Sequence, residues 1–304
     1  MISAKLNYYK HMQNRYQSSF SQDTTLSSKL FNLLEIVFPG AGITSYAEQA
    51  RKLGAAWEDA STPFARFHED GSLITHVGVL EIPMRLMGED VIVGGVHAVC
   101  THPDFRRRGY YREIMNEVLD YCDKRYETLI LTTSNPEFYY PFGFRFVQEH
   151  SFITNINSPG GVNGLRLLDI NNIDDVNLLH RILETRAPVS NIIGVVNEKA
   201  LFLVNEATIP MYYFPDLDTI ACMSIENNEL KLYDLVAPQI LPLQEFIQRI
   251  PDNIKSCFIY FNPQNLNTNA QALPDMLDGD SHLMVRGIFT PEYQKFMIPR
   301  SARC

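Results

Sequence analysis

Apolar residues recur at helical spacing near the start of the chain and then alternate with polar residues. This spacing predicts a helix with five apolar residues on one face: Leu26, Leu30, Leu33, Leu34 and Phe38. Pro39-Gly40 ends that helix, and a second short helix is predicted at residues 45–53. β-rich runs separated by glycine-containing turns then predict three strands, at residues 64–68, 73–87 and 91–101. Gly94-Gly95 inside the third strand predicts a bulge or a close backbone approach.

The hydrophobic period changes from two to 3.6 residues after Gly109. Residues 110–126 form a predicted amphipathic helix whose apolar face carries Ile114, Met115, Val118, Leu119 and Cys122. Strands are predicted at residues 128–133 and 144–154, with a short helix or turn beginning at Asn135-Pro136 between them. This part of the chain therefore reads as a hairpin, a helix and a further strand.

The second half repeats that order more weakly. A linker rich in Gly and Asn at residues 155–164 precedes it, and helices are predicted at 172–186 and 241–250. Strands are predicted at residues 219–225, 230–236, 257–261 and 282–289. We expect two α+β domains, residues 1–156 and 157–304. Either the fold is duplicated, or two α+β domains resemble each other by chance.

Charge and cysteine content exclude several functional classes. The chain has 26 Lys+Arg against 35 Asp+Glu, a formal net charge of −9. An acidic surface disfavours nucleic acid and would attract cationic small molecules, although it can serve solubility alone. The five cysteines include no CxxC pair, so we expect no metal site and free thiols. With neither a secretory leader nor a run of ~20 apolar residues, the sequence predicts a cytoplasmic protein without membrane contact.

The chemically informative stretch runs from Val96 to Tyr111, where a strand enters an arginine-rich turn that opens a helix. The first amides of a helix have no partner within it, and the helix dipole adds positive charge there, so the turn can bind an anion. Gly109 permits close approach of phosphate oxygens. The alternative is a solvated basic turn followed by a glycine that starts the helix.

Two motifs in this region resemble the signatures of the GNAT acetyltransferase superfamily. Residues 106–111, Arg-Arg-Arg-Gly-Tyr-Tyr, resemble motif A, Arg/Gln-x-x-Gly-x-Gly/Ala, and depart from it at Tyr111. Residues 138–144 resemble the second signature, Tyr-x-x-hydrophobic-Gly-Phe, and the resemblance covers about residues 25–155. It implies a mixed α/β fold with a GNAT-like central mixed sheet flanked by helices. A second, degenerate GNAT-like domain, as in the enhanced-intracellular-survival type of aminoglycoside acetyltransferase, would follow it.

The resemblance further implies that acetyl-CoA is the cosubstrate and that an amine attacks its thioester directly. The positions that would contact acetyl-CoA are Val99, Cys100, Thr101, Arg106, Arg107, Arg108, Gly109, Tyr110, Tyr111 and Asn135. Tyr139 matches the family's general acid, and a core or substrate-wall aromatic is the competing interpretation of this residue. His97 is a candidate general base, with Glu81 and Glu48 as alternatives, and a satisfied core histidine is the competing interpretation of His97.

The expected acceptor is a primary amine of a small cationic molecule. Two other functions stay open at this stage: a sensor that binds acetyl-CoA without catalysis, and an acetyltransferase that modifies protein amines. The second half, whose connection at residues 237–242 lacks Gly, Arg and Lys, is expected to bind no CoA. It would serve as a structural unit, a substrate wall or the interface of a homo-oligomer.

Overall fold

The computed structural model describes residues 20, 23–55, 57–277 and 279–304, which build two mixed β-sheets with helices packed on them. The α-helices are α1 (Leu26–Val37), α2 (Ile43–Lys52), α3 (Trp57–Ala60), α4 (Tyr110–Cys122), α5 (Ile173–Glu184), α6 (Ala200–Glu206) and α7 (Leu243–Ile247). The mixed α/β class predicted from the sequence is confirmed. No helix in the described ranges combines the length and the apolar character needed to cross a bilayer.

The strands are numbered in chain order. They are β1 (Ser61–Phe67), β2 (Leu73–Leu86), β3 (Glu89–Thr101), β4 (Thr128–Thr133), β5 (Arg145–Phe146), β6 (Glu149–Ser158), β7 (Arg166–Leu167), β8 (Ile193–Val195), β9 (Met211–Phe214), β10 (Thr219–Glu226), β11 (Glu229–Val236), β12 (Ile254–Ile259), β13 (Gln271–Asp275) and β14 (His282–Gly287).

The first sheet has the order β1-β2-β3-β4-β14-β5, and β8 pairs with the far end of β2. β3 and β4 run parallel, because α4 crosses between them, while β2–β3 and β4–β14 are antiparallel. The apolar face predicted for α4 is buried against this sheet, with Ile114, Met115 and Val118 fully buried. The helix thus fixes β3 and β4 side by side.

The second sheet has the order β13-β6-β12-β11-β10-β9-β7. The centre of this sheet repeats the order of elements found in the first sheet. The antiparallel hairpin β10–β11 is followed by the helix α7 and then by β12, which runs parallel to β11. The weak similarity between the two halves of the sequence therefore corresponds to the same sequence of elements in space. α7 is only five residues long, however, and Pro242 stands at its N-cap.

The two sheets exchange strands. β6 leaves the first half of the chain to pair with β12 and β13. In return, β14 inserts between β4 and β5, where Leu283 and Val285 are buried beside Ile130. The predicted strand at 144–154 is thus two strands in different sheets, and the predicted division at residues 156/157 falls within β6.

Candidate active site

A cleft opens where β3 and β4 separate. Their pairing is confined to Gly94 opposite Leu129 and Gly95 opposite Ile130. The glycines leave room for side chains from neighbouring strands: a Cβ on Gly94 would lie 2.6 Å from Leu129 Cδ2 and one on Gly95 would lie 2.7 Å from Ile82 Cδ1, so these side chains would have to move. The sequence predicted a bulge or a close backbone approach at this pair, and the close contacts that the structure places here are with side chains. Beyond Gly95 the strands diverge, and no pairing with β4 covers the rest of β3 within the described ranges.

The bulge in β3 lies further along than Gly94-Gly95. Ala98 has a φ of 48°, and the pairing with β2 shifts between His76 and Gly78. His76 Nδ1 lies 2.9 Å from the carbonyl oxygen of Ala98; since a carbonyl only accepts, this nitrogen donates. Burial lowers the pKa of His76 to about 4, so the ring stays neutral and keeps this donor. The bulge sits at the cleft, where bulges commonly re-aim backbone groups.

The arginine-rich turn closes one end of this cleft. A 3-10 turn at Pro103–Phe105 leads into it, Arg107 has a φ of 61°, and Gly109 has a φ of 90° at the N-cap of α4. The first hydrogen bond of α4 runs from Glu113 N to Gly109 O at 3.0 Å. The amides of residues 110–112 therefore have no acceptor within the helix.

The space beside Gly109 is open. A Cβ there would meet only Glu113 Oε1, at 4.0 Å. The side chains of Arg106, Arg107 and Arg108 are exposed, and among the residues that the structure describes no carboxylate pairs with them. Free amides, a helix N-terminus and unneutralised guanidinium groups meet at this turn, which suits a phosphate-bearing ligand.

The bulky Tyr111, which departs from the family pattern, turns towards the second signature. Its hydroxyl donates to the carbonyl oxygen of Phe138 at 3.0 Å, and its ring meets Phe142 edge-on with centroids 5.4 Å apart. Burial raises the pKa of Tyr111 far above its usual range. The side chain thus joins the two motifs.

Tyr139 lies between two 3-10 turns that follow β4, and it is 7% exposed. Burial raises the pKa of its phenol to about 12, and a side-chain hydrogen bond with Thr133 partly offsets that rise. The thiols of Cys100 and Cys304 are close enough to Tyr139 to affect the same pKa. The hydroxyl is therefore protonated at neutral pH and lies in the part of the cleft between β3 and β4.

His97 is a less suitable base than its position on β3 suggested. Its Nε2 lies 2.8 Å from Ser61 Oγ, and its ring fills the space that a Cβ on Gly78 would occupy. Burial, together with neighbouring His76, lowers the pKa of His97 to about 3. Imidazole with so low a pKa holds a proton weakly. The other two candidate bases, Glu81 and Glu48, are exposed. Glu81 accepts a hydrogen bond from the Tyr126 hydroxyl at 2.9 Å, and Glu48 lies on α2.

The remaining predicted contacts lie along the two strands. Thr75 Oγ1 donates to Cys100 O at 2.7 Å and lies 2.8 Å from Thr101 Oγ1, which holds β3 to β2. Burial raises the pKa of the Cys100 thiol to about 12. Val99 packs on the α4 side. Exposed Asn135 lies two residues beyond the end of β4, and its backbone N–H donates to Thr133 Oγ1 at 3.0 Å.

Cys304 and Thr132 also lie at the cleft, although the sequence did not indicate either of them. The backbone N–H and the Oγ1 of Thr132 both donate to the main-chain oxygen of Cys304, each at 2.7 Å. A Cβ on Gly95 would lie 2.8 Å from Cys304 Sγ, so Cys304 stands where β3 and β4 begin to separate. Thr132 and Cys304 are 172 positions apart, and no local pattern signals such a contact.

Within the described ranges, no group of three or more His, Cys, Asp and Glu side chains is arranged to hold a metal ion.

Known proteins resemble the first half of this chain in sequence and most of the chain in fold. Residues 26–147 match the family model described as an acetyltransferase (GNAT) domain. Curated protein sequences gave no match. Among solved structures, a probable N-acyltransferase from Enterococcus faecalis V583 is 13% identical, with a TM-score of 0.56, covering 90% of this chain and 71% of that one.

Two further structures are similar in fold. Eis1 from Mycobacterium abscessus is 15% identical, with a TM-score of 0.56, and the match covers 90% of this chain and 73% of that protein. A GCN5-related N-acetyltransferase from Kribbella flavida is 15% identical, with a TM-score of 0.53 and coverages of 88% and 70%. At such identities the likeness concerns the fold, and it extends over both sheets.

Proposed function

We propose that this chain, whose residues 26–147 match the acetyltransferase (GNAT) domain model, transfers the acetyl group of acetyl-CoA to a primary amine of a small cationic molecule. The observation that carries this proposal is the β3–β4 cleft. An open anion-binding turn at Gly109 stands at one end of it, and the protonated hydroxyl of Tyr139 lies in it.

In this proposal the pyrophosphate of acetyl-CoA binds the amides of residues 107–111, and the pantetheine arm lies along Val99–Thr101 like an added strand. The β3 bulge supports this arrangement, because it leaves backbone groups of β3 free of pairing with β4. Exposed Asn135, just beyond the end of the facing strand β4, would contact the same arm. Filling the open side of Gly109 would therefore block the cofactor directly.

The transfer step needs no covalent enzyme intermediate. The amine attacks the thioester carbon, a backbone N–H of the stretch Val96–Val99 stabilises the oxyanion, and Tyr139 donates a hydrogen bond to the departing thiolate. The attacking ammonium must first lose a proton. His97 on β3 is the candidate acceptor from the sequence, but with a pKa of about 3 it cannot take a proton from an ammonium of pKa ~10, so the amine loses its proton to solvent before it attacks.

The charge of the protein supports a cationic acceptor. The formal net charge is −9, while basic side chains gather at the phosphate turn. An acidic surface raises the local concentration of polyamines and amino sugars. The resemblance to the aminoglycoside-modifying type favours the same class.

The second sheet is proposed to bind no CoA. The connection from β11 to α7, residues 237–242, has no basic residue and no glycine, and α7 has one and a half turns at most. This corresponds to a GNAT-like unit that has lost its phosphate turn.

Release of CoA thiol from acetyl-CoA, followed with Ellman's reagent, tests the proposal with spermidine and glucosamine against lysine-containing peptides. We expect turnover with the small amines and none with Gly109→Val. Turnover with peptides alone would contradict the acceptor class. Tight binding of acetyl-CoA without turnover on any amine would support the sensor instead.

A further inference from the structure

The last described stretch of the chain, Phe296–Cys304, follows β14 and packs on the first sheet through Phe296, Ile298 and Ala302, while its polar groups bind residues of β6, α6 and β11; we call it the final segment. It is buried along most of its length, and Phe296, Met297, Ile298, Ser301 and Ala302 are each at most 1% exposed. Asn205 Nδ2 on α6 donates to the main-chain oxygens of Arg300 and Arg303, at 3.2 and 2.9 Å. The backbone of this segment is therefore held by direct hydrogen bonds.

Three buried carboxylates hold its side chains. Glu206 on α6 is fully buried and accepts both Nε and Nη2 of Arg300, at 3.0 and 2.7 Å. Glu149 on β6 pairs with Arg303 and accepts the amide of Ile298. Asp234 on β11, fully buried, pairs with Arg186 and accepts the hydroxyl of Ser301.

A contribution to the stability of the fold does not by itself account for so many buried charged groups around the final segment. Desolvation of buried ions consumes most of the attraction between them, so buried ion pairs contribute little net stability. Their best-attested use is to select one arrangement of the chain. Here the arrangement selected is the path of the final segment.

The contact with Asp234 occupies the place where a second cleft would open. β11 and β12 pair in parallel only as far as Leu232 opposite Ile259, as β3 and β4 do at Gly94–Gly95. Beyond that point β11 meets other parts of the same chain. The Asp234 carboxylate accepts hydrogen bonds from Arg186 and Ser301, and the backbone N–H of Ala187 donates to the carbonyl oxygen of Ala237 at 2.8 Å. The second cleft is therefore filled from within.

The segment that helps to fill the second cleft also reaches the first. Ser301 and Cys304 are three positions apart in the sequence, a span of at most about 11 Å. Cys304 accepts both hydrogen bonds from Thr132 and contacts Gly95, where β3 and β4 start to diverge. Loosening the hold on Ser301 thus frees the residue that stands between β3 and β4.

We propose that the second sheet serves as an anchor that fixes the final segment, so that Cys304 sets the narrow end of the catalytic cleft. Arg300, Ser301 and Glu206 are then positioning residues for acetyl transfer, although none of them lies in the cleft. The inference rests on the proposed function for its effect on catalysis. Near-attack geometry tolerates little error, and a shift of about 1 Å can cost roughly 10²-fold in rate.

The test compares Ser301→Ala and Arg300→Lys with the wild type. Ser301→Ala removes one hydroxyl and leaves Asp234 its bonds to Arg186 and to Leu235 N. Arg300→Lys keeps the charge and loses the fork that grips Glu206. The matched control is Arg181→Lys, which alters an exposed bidentate pair with Asp218 in the same half of the chain.

Two readouts separate anchoring from catalysis. Iodoacetamide labelling of Cys304, measured by mass spectrometry against Cys257 and Cys122 in the same sample, reports whether the segment is in place without any acetyl transfer. All three thiols have a pKa raised to about 12 by burial, so wild-type labelling is slow. Steady-state kinetics with acetyl-CoA and spermidine give kcat and KM separately.

We expect both variants to label Cys304 at least about tenfold faster, with Cys257 and Cys122 unchanged. Their kcat should fall about 10- to 100-fold while KM for acetyl-CoA changes less than about twofold. Arg181→Lys should match the wild type in both assays. Unchanged labelling would refute the anchor, and faster labelling with unchanged kcat would refute its role in transfer. A wild type with slow Cys304 labelling but no activity on any amine would refute the proposed function itself.

Discussion

Replacing Tyr139 with Phe tests the chemistry of the cleft with little disturbance to its packing. The ring is 7% exposed and meets Phe144 and Tyr111 edge-on, with centroids 6.0 and 6.4 Å apart, contacts that Phe would keep. The substitution removes the hydroxyl and its hydrogen bond with Thr133. A lost neutral hydrogen bond costs about 1 kcal/mol of stability, so the variant should fold.

The raised pKa decides what the hydroxyl can contribute. With the phenol at about 12 and a thiol near ~8.5, complete proton transfer to the thiolate is uphill by about 5 kcal/mol. Tyr139 therefore acts as a hydrogen-bond donor to the departing sulfur. Hydrogen bonds to charged groups contribute about 1.5–3 kcal/mol, which corresponds to a loss of about 10- to 150-fold in kcat.

Single-turnover acetylation of spermidine, with pre-bound acetyl-CoA, isolates the chemical step. Tyr139→Phe should slow that step by the stated factor while the Kd for acetyl-CoA stays within about twofold of wild type. Its pH profile between about pH 6 and about pH 9 should keep the wild-type shape, because the phenol does not titrate there. Neighbouring Tyr140, 53% exposed, provides the control, since Tyr140→Phe should be silent. Equal single-turnover rates for Tyr139→Phe and the wild type would exclude Tyr139 from the mechanism.

Three further predictions concern the turn, the second sheet and a buried histidine. Gly109→Val should abolish acetyl-CoA binding in calorimetry, since Gly109 has a φ of 90° and its open side faces the turn; unchanged affinity would place the cofactor elsewhere. Calorimetry of the wild type should give a binding stoichiometry of one CoA per chain. A stoichiometry of two would contradict the claim that the second cleft is filled and binds no CoA. His76 has a pKa of about 4, below its reference of 6.5. Because the unfolded chain takes up this proton more readily than the folded one, on the order of 3 kcal/mol of stability present above pH ~6.5 is lost as pH falls towards ~4. His76→Asn should flatten urea-derived stability across that window, and an unaltered slope would contradict the assignment.

The sequence predicted the parts of the molecule that are set by short-range order. The spacing of Leu and Phe in α1, the amphipathic α4, and the step from β3 through Gly109 into α4 all lie within windows of about twenty residues. Each carries its own periodic or glycine signal. The same holds for the second signature around Tyr139, whose turns are marked by Pro136, Pro141 and Gly143.

What the sequence could not predict is which sheet each strand enters. The run around β14 reads as a strand in either half, and only its packing beside Ile130 assigns it to the first sheet. Arg300 and Arg303 look like ordinary surface residues in the sequence, and their buried carboxylates lie 94 and 154 positions away. His97 was a plausible base by position, and its low pKa follows from neighbours on other strands.

The most direct test of the account follows the acetyl group itself. The wild-type protein is incubated with acetyl-CoA labelled in the acetyl group and with spermidine, and the label is located by mass spectrometry. For direct transfer, we expect the label to move to a spermidine nitrogen at a rate that Tyr139→Phe lowers, with none bound to the protein. A label that stays on CoA, or that accumulates on a protein side chain, would contradict direct transfer in the β3–β4 cleft.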